Sequence, residues 1–165
     1  MGSGGGGDTG GGEASVLDSL IDRSITEVSN NATSIGNYAF KECTKLTTAD
    51  FPLATSIASD AFKGCTKLAT VDFPLVKILD GSIFSGCSQL TAVMLRSETM
   101  VTLKNANAFT GTPIASGTGY FYVPRALIDS YKSATNWSTY ASQFRALEDY
   151  TVDGTISGEL DPTKI

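Results

Sequence analysis

Three cysteines and a pair of aspartates are the side chains whose spacing first suggests chemistry. Cys43, Cys65 and Cys87 stand 22 residues apart, and Asp50 and Asp72 keep the same interval. Three thiols invite a metal or a disulfide; two neighbouring carboxylates invite a retaining glycosidase or a calcium site. Neither set has its usual companions. The chain has no histidine, so the commonest general base and zinc ligand are missing. Serine and threonine are abundant, yet a hydroxyl nucleophile needs an activating base. There is no Gly-x-Ser-x-Gly elbow, no Ser-x-x-Lys in a supporting context and no phosphate-cradling glycine loop. The expectation is no catalytic residue, no cofactor and no metal. A hydrolase using Asp50 and Asp72 is the remote alternative.

The common interval points to the elements that must carry these residues. One 22-residue unit is written three times, beginning at Ile35, Ile57 and Leu79. Phe40, Phe62 and Phe84 fall in register, as do Leu46, Leu68 and Leu90, then Phe51, Phe73 and Leu95. A degenerate turn follows, where Ala108-Phe109 repeats Ala39-Phe40, and Ile25 and Val28 resemble the strand half of a preceding unit. About four turns are expected. Within a unit, Leu46, Ala49 and Phe51 turn inward while Thr48 and Asp50 face solvent. Leu68, Val71 and Phe73 turn inward in the next, with Thr70 and Asp72 outward. Pro52 and Pro74 stop the strands, because proline cannot donate to a ladder. The Ala-Phe-x-x-Cys portion reads as a short helical or 3₁₀ turn on the opposite side.

Stacking also supplies a bland account of the reactive-looking residues. The cysteines become a column with about 5 Å between members, which is not a tetrahedron. Buried packing thiols are therefore favoured, with a disulfide or a metal as lesser readings. Asp50 and Asp72 form a second column on a solvated face, near a column of Lys45 and Lys67 that would partly neutralise them.

The pattern Ile-Gly-x-x-Ala-Phe-x-x-Cys-x-x-Leu-x-x-x-x-Phe-Pro resembles the BspA-type leucine-rich repeat, over about residues 25–124. The resemblance implies an α/β solenoid: a short horseshoe segment of about four 22-residue turns with a C-terminal helical cap. It also implies company among surface and adhesion proteins of host-associated microbes and some phage structural proteins. The third unit departs from the pattern at Ile83, Met94 and Arg96, as if fading toward a cap. On these grounds the chain is expected to be a non-catalytic binding or adhesion-type module using its exposed strand face. Thr48, Asp50, Thr70, Asp72, Ala92 and Met94 line that face, and the expected partner is a protein or glycan on a cell surface. The alternative is a structural subunit of a phage tail or similar assembly, tethered through the glycine-rich N-terminus. The resemblance places either at an extracellular surface or on a virion, although the first residues carry no secretory signal.

The remaining sequence divides around this core. Residues 1–14 read as a glycine-rich linker or leader, 15–124 as the solenoid with an N-terminal cap, 125–150 as a helical C-terminal cap, and 151–165 as a tail or weak hairpin. Tyr120 to Val123 would be the last strand, closed by Pro124. Helical spacing then runs from Arg125 to Ala134, and a second helical piece is expected from Trp137 to Leu147. These aromatic residues would cover the last coil; alternatively Tyr120, Tyr122, Trp137 and Tyr140 would form an aromatic binding patch. Phe109, in the ragged turn, is expected to matter less to stability than Phe62. The net charge of −5 and pI near 4.6 argue against nucleic acid and anionic membrane surfaces. No run of about 18 apolar residues is present, so membrane insertion is not expected.

Overall fold

The computed structural model describes residues 16–17 and 22–150. The glycine-rich start and the expected tail or hairpin of 151–165 lie outside the described residues. Parallel strands stack coil upon coil, as an apolar residue at every second strand position requires when one unit cannot cover it alone. A five-stranded ladder of two-residue strands runs through Val16–Leu17, Ser34–Ile35, Ser56–Ile57, Ile78–Leu79 and Thr102–Leu103. Ser34 pairs with Ser56 and Ser56 with Ile78, so the 22-residue repeat is the hydrogen-bond register.

Longer strands form a second ladder: Glu27–Ser29, Thr48–Asp50, Thr70–Asp72, Ala92–Met94, Tyr120–Val123 and Phe144–Ala146. Six strands exceed the about four turns counted in the repeat, because the irregular segments at both ends contribute strands too. This ladder is in two pieces, one of the first two strands and one of the last four. A third line of inter-coil bonds joins the turns: Phe40 N donates to Ala61 O (2.7 Å), Phe62 N to Ile83 O (2.9 Å) and Phe84 N to Ala108 O (2.9 Å).

Between these lines the phenylalanines make a continuous pile. Phe40 stacks on Phe62 with ring centroids 5.1 Å apart, Phe62 on Phe84 at 5.6 Å, and Phe84 on Phe109 at 5.6 Å. Leu46, Leu68 and Leu90 are wholly buried beside them. Each such side chain contributes roughly 1.5–3 kcal/mol by removal from water.

The cysteine column lies inside this core, and all three thiols are free and buried. The Cys65 thiol donates to Phe40 O and the Cys87 thiol to Phe62 O, each at 3.1 Å. Repetition thus lets the Cys65 and Cys87 thiols each satisfy a carbonyl of the coil before. At the first coil, Arg23 reaches in: its Nη1 donates to Ala39 O (3.0 Å) and toward Cys43 Sγ (3.8 Å), and its Nη2 donates to Tyr38 O (3.2 Å). At the far end Thr112 occupies the cysteine position and donates to Phe109 O (2.7 Å).

Past Val123 the chain folds back over the last coil. Arg125–Leu127 is 3₁₀, Ile128–Ser133 is the α-helix, and Trp137–Gln143 is 3₁₀ around Tyr140. The helical piece expected from Trp137 to Leu147 ends early. Phe144–Ala146 is instead a strand paired in parallel with Tyr120–Val123, so the latter is not the last. Its burial alternates, with Phe144 and Ala146 inward and Arg145 outward, which suits a strand and not a helix.

This segment supplies polar groups where another coil's backbone would have been. Tyr131 Oη accepts from Val101 N (2.9 Å), and Trp137 Nε1 donates to Val101 O (2.8 Å). Asn136 Nδ2 donates to Leu103 O (2.7 Å), and the Tyr140 hydroxyl to Ala106 O. Buried backbone groups left unpaired would be costly, so these side chains do what a further repeat would do. No helix among the described residues is long and apolar enough to cross a membrane.

Candidate functional site: the outward face of the long strands

The long strands position the candidate residues by simple alternation. Val28, Ala49, Val71 and Val93 point to the core, and their neighbours point out. Two rows result. Glu27 registers with Thr48 and Ser29 with Asp50; Thr70 registers with Ala92 and Asp72 with Met94. Glu27, Ser29, Thr48, Asp50 and Thr70 are exposed, and Asp72 is half-buried.

The outward face does not continue to Ala92 and Met94. They are only 6% and 2% exposed, packed in a small separate cluster with Tyr122 and flanked by Tyr120, Leu147 and Tyr150. The cause is the chain's return: Tyr120–Val123 pairs beside Ala92–Met94, and the turn Leu147–Asp149 brings Leu147 and Tyr150 over them. The Tyr122 and Tyr150 rings lie 4.5 Å apart, and burial pushes the Tyr122 phenol up. Arg145 sits over the Tyr120 ring at 4.3 Å. The aromatic patch considered from sequence therefore divides. Tyr120 and Tyr122 lie on this outer face, whereas Trp137 and Tyr140 are buried in the core.

The two aspartates do not converge on a common centre. Asp72 is held by Arg96 in a bidentate pair, Nε to Oδ1 at 2.7 Å and Nη2 to Oδ2 at 2.8 Å. The bonded Asp72 carboxylate in turn holds Arg96 more firmly in its charged form. Asp50 accepts from Ser29 Oγ at 3.2 Å. Each carboxylate thus turns to a partner on its far side, away from the other. A glycosidase pair needs both aimed at one substrate bond, and this arrangement does not provide that. The cation that engages Asp72 is Arg96, not a lysine of the Lys45 and Lys67 column. Among the described residues no cluster of three potential metal ligands occurs.

Sequence reasoning missed Ser29, Glu27, Arg96 and Arg145 as members of this face. Arg96 had a signal, since it stands where the repeat has proline, two residues past the strand that pairs with Asp72's. Arg145 and Tyr150 had none, because the strand carrying Arg145 lies in a segment with helical spacing.

The geometry is that of a stack with one polar strand face, one covered end and an interior filled by repeat columns. No curated protein sequence matches the chain. The family model for the BspA type leucine-rich repeat region matches residues 21–121 in six copies. The repeat columns, the parallel ladders and this match agree, and the chain belongs to the BspA-type leucine-rich repeat family.

Proposed function

We propose that the chain is a non-catalytic binding module of adhesion type, taking a protein or glycan ligand on the outward face of its long strands. Leucine-rich repeats are typically non-catalytic frames for binding. The observation that carries the reading is the exposed block of Glu27, Ser29, Thr48, Asp50 and Thr70, presented by the long strands of successive coils. Hydroxyls and carboxylates at regular spacing, with little apolar area, suit a hydrogen-bonding ligand such as a glycan or a polar protein surface. The ligand is met by a preformed surface, so little ordering entropy is lost on binding.

The test is a screen of the folded chain, immobilised, against arrays of glycans and extracellular matrix proteins, with Thr70→Arg run in parallel. The expected result is at least one ligand class that the native chain retains and the variant loses by about tenfold or more, corresponding to about 1.4 kcal/mol. Retention by both, or by neither, would contradict the assignment of this face.

A further inference from the structure

The long-strand ladder parts at one place only among the described strands, between Thr48–Asp50 and Thr70–Asp72. The short ladder runs unbroken across the same two coils, through Ser34–Ile35, Ser56–Ile57 and Ile78–Leu79. The turn bonds also cross it, from Phe40 N to Ala61 O and from Phe62 N to Ile83 O. So does the core, where the Phe51 and Phe73 rings meet at 5.7 Å. The coils are therefore packed in sequence, and their pairing is interrupted only along the outward strands. Thr47 N donates to Thr26 O (2.8 Å) and Thr91 N to Ala69 O (2.9 Å), but no equivalent bond joins Ala69 N to Thr47 O.

The residues flanking the gap explain it. Where the ladder is intact, the outward pairs are Glu27 with Thr48, Ser29 with Asp50, Thr70 with Ala92 and Asp72 with Met94. No pair there sets like charge against like charge. Continuing the 22-residue register across the gap would oppose Asp50 to Asp72 and Thr48 to Thr70. Like charges directly opposed weaken a strand pair. Each carboxylate is drawn instead to its far side, Asp50 to Ser29 and Asp72 to Arg96.

We propose that this gap is a built-in seam: opposition of Asp50 and Asp72 holds the long strands apart, so the first two coils flex against the rest about the intact short ladder. The seam crosses the exposed polar face and lies between Thr48 and Thr70. Opening and closing it alters the spacing of the two halves of that face while the phenylalanine pile stays packed. The seam rests on the ladder geometry and stands whether or not that face is where a ligand binds.

Hydrogen exchange of the full chain tests it, read at the amides of Ala69 to Asp72 with Thr91 to Met94 as reference. Asp50→Asn removes one of the opposed charges at a solvent-exposed position and keeps the acceptor for Ser29. It is expected to slow exchange at Ala69 to Asp72 about two- to fivefold, and to leave Thr91 to Met94 unchanged. Raising salt to about 1 M, where screening acts within about 3 Å, should slow the same amides in the native chain and have little effect in Asp50→Asn. Unaltered exchange at Ala69 to Asp72 in the variant would overturn the proposal. So would equal salt sensitivity in both chains, since a purely steric gap would ignore charge. A uniform change across both sets of amides would mean a global stability effect, and would overturn it as well.

Discussion

Glu42, Gly64, Gly86 and Gly111 occupy one backbone position in successive coils, with φ of 59°, 76°, 78° and 81°. Their amides donate down the stack: Glu42 N to Lys63 O, Gly64 N to Ser85 O and Gly86 N to Thr110 O. Glycine takes this left-handed conformation without strain, whereas a side chain costs roughly 1–2 kcal/mol. Glu42→Gly is therefore expected to raise stability by about 0.5–1 kcal/mol, after allowing for glycine's greater freedom when unfolded. Gly86→Ala should lower it by about 1–2 kcal/mol, both read from urea midpoints. Titration offers a second check on residues. Burial pushes the Cys43 thiol and the Tyr131 and Tyr140 phenols up from ordinary values of 9.0 and 10.0; for Cys65, the neighbouring Cys87 thiol and then burial do the same. Above those values the unfolded chain releases protons that the folded chain retains, so unfolding becomes easier as pH rises. Stability should hold below about pH 9 and fall progressively from there toward pH 11, seen as a dropping urea midpoint. Residue roles inside the repeat were legible because repetition displays them: the inward columns and the buried thiols follow from spacing alone. Ala92 and Met94 were not, because what covers them comes from about 30–55 residues later and shares no period with them.

Among elements, the covering segment carries the sharpest expectations. Trp137 Nε1 donates to Val101 O from a wholly buried ring, so Trp137→Phe strands a buried acceptor as well as leaving space. A loss of about 1–3 kcal/mol is expected in chemical denaturation. The phenylalanine pile revises the ranking drawn from sequence. Phe109 is as fully buried as Phe62 and meets Phe84, Phe121, Trp137 and Tyr140. Phe62→Ala and Phe109→Ala are each expected to cost about 3–5 kcal/mol, and a small effect at either site would contradict a continuous pile. Regular strands were readable because alternation and stacking reinforce each other. The strand Phe144–Ala146 was not: Trp137, Tyr140, Phe144 and Leu147 fit a helical face equally well. Pairing with Tyr120–Val123 decides its form, and that partner is distant in sequence. The aromatic cover as a whole was legible, since a solenoid's last coil needs one.

At the scale of the molecule, one repeat writes a fold in which each coil satisfies its neighbours, by strand bonds, turn bonds, ring stacking and thiol donation. Stability should then be nearest-neighbour in character, with both ends needing special treatment. Arg23 supplies it at the first coil, and Tyr131, Asn136, Trp137 and Tyr140 supply it at the last. That the outward face was a candidate was readable from Thr48, Asp50, Thr70 and Asp72. Its extent was not, because the return of the chain converts its C-terminal half into a small apolar cluster. The polar face that remains is the proposed binding surface. The most direct measurement compares three folded chains against whichever glycan or matrix protein the native chain captures: native, Thr48→Arg/Thr70→Arg on the long-strand face, and Thr102→Arg on the exposed side of the short ladder. Binding through the long strands should leave affinity weakened about tenfold or more in the first variant and unchanged in the second. Unchanged affinity in Thr48→Arg/Thr70→Arg, or loss in Thr102→Arg alone, would contradict it.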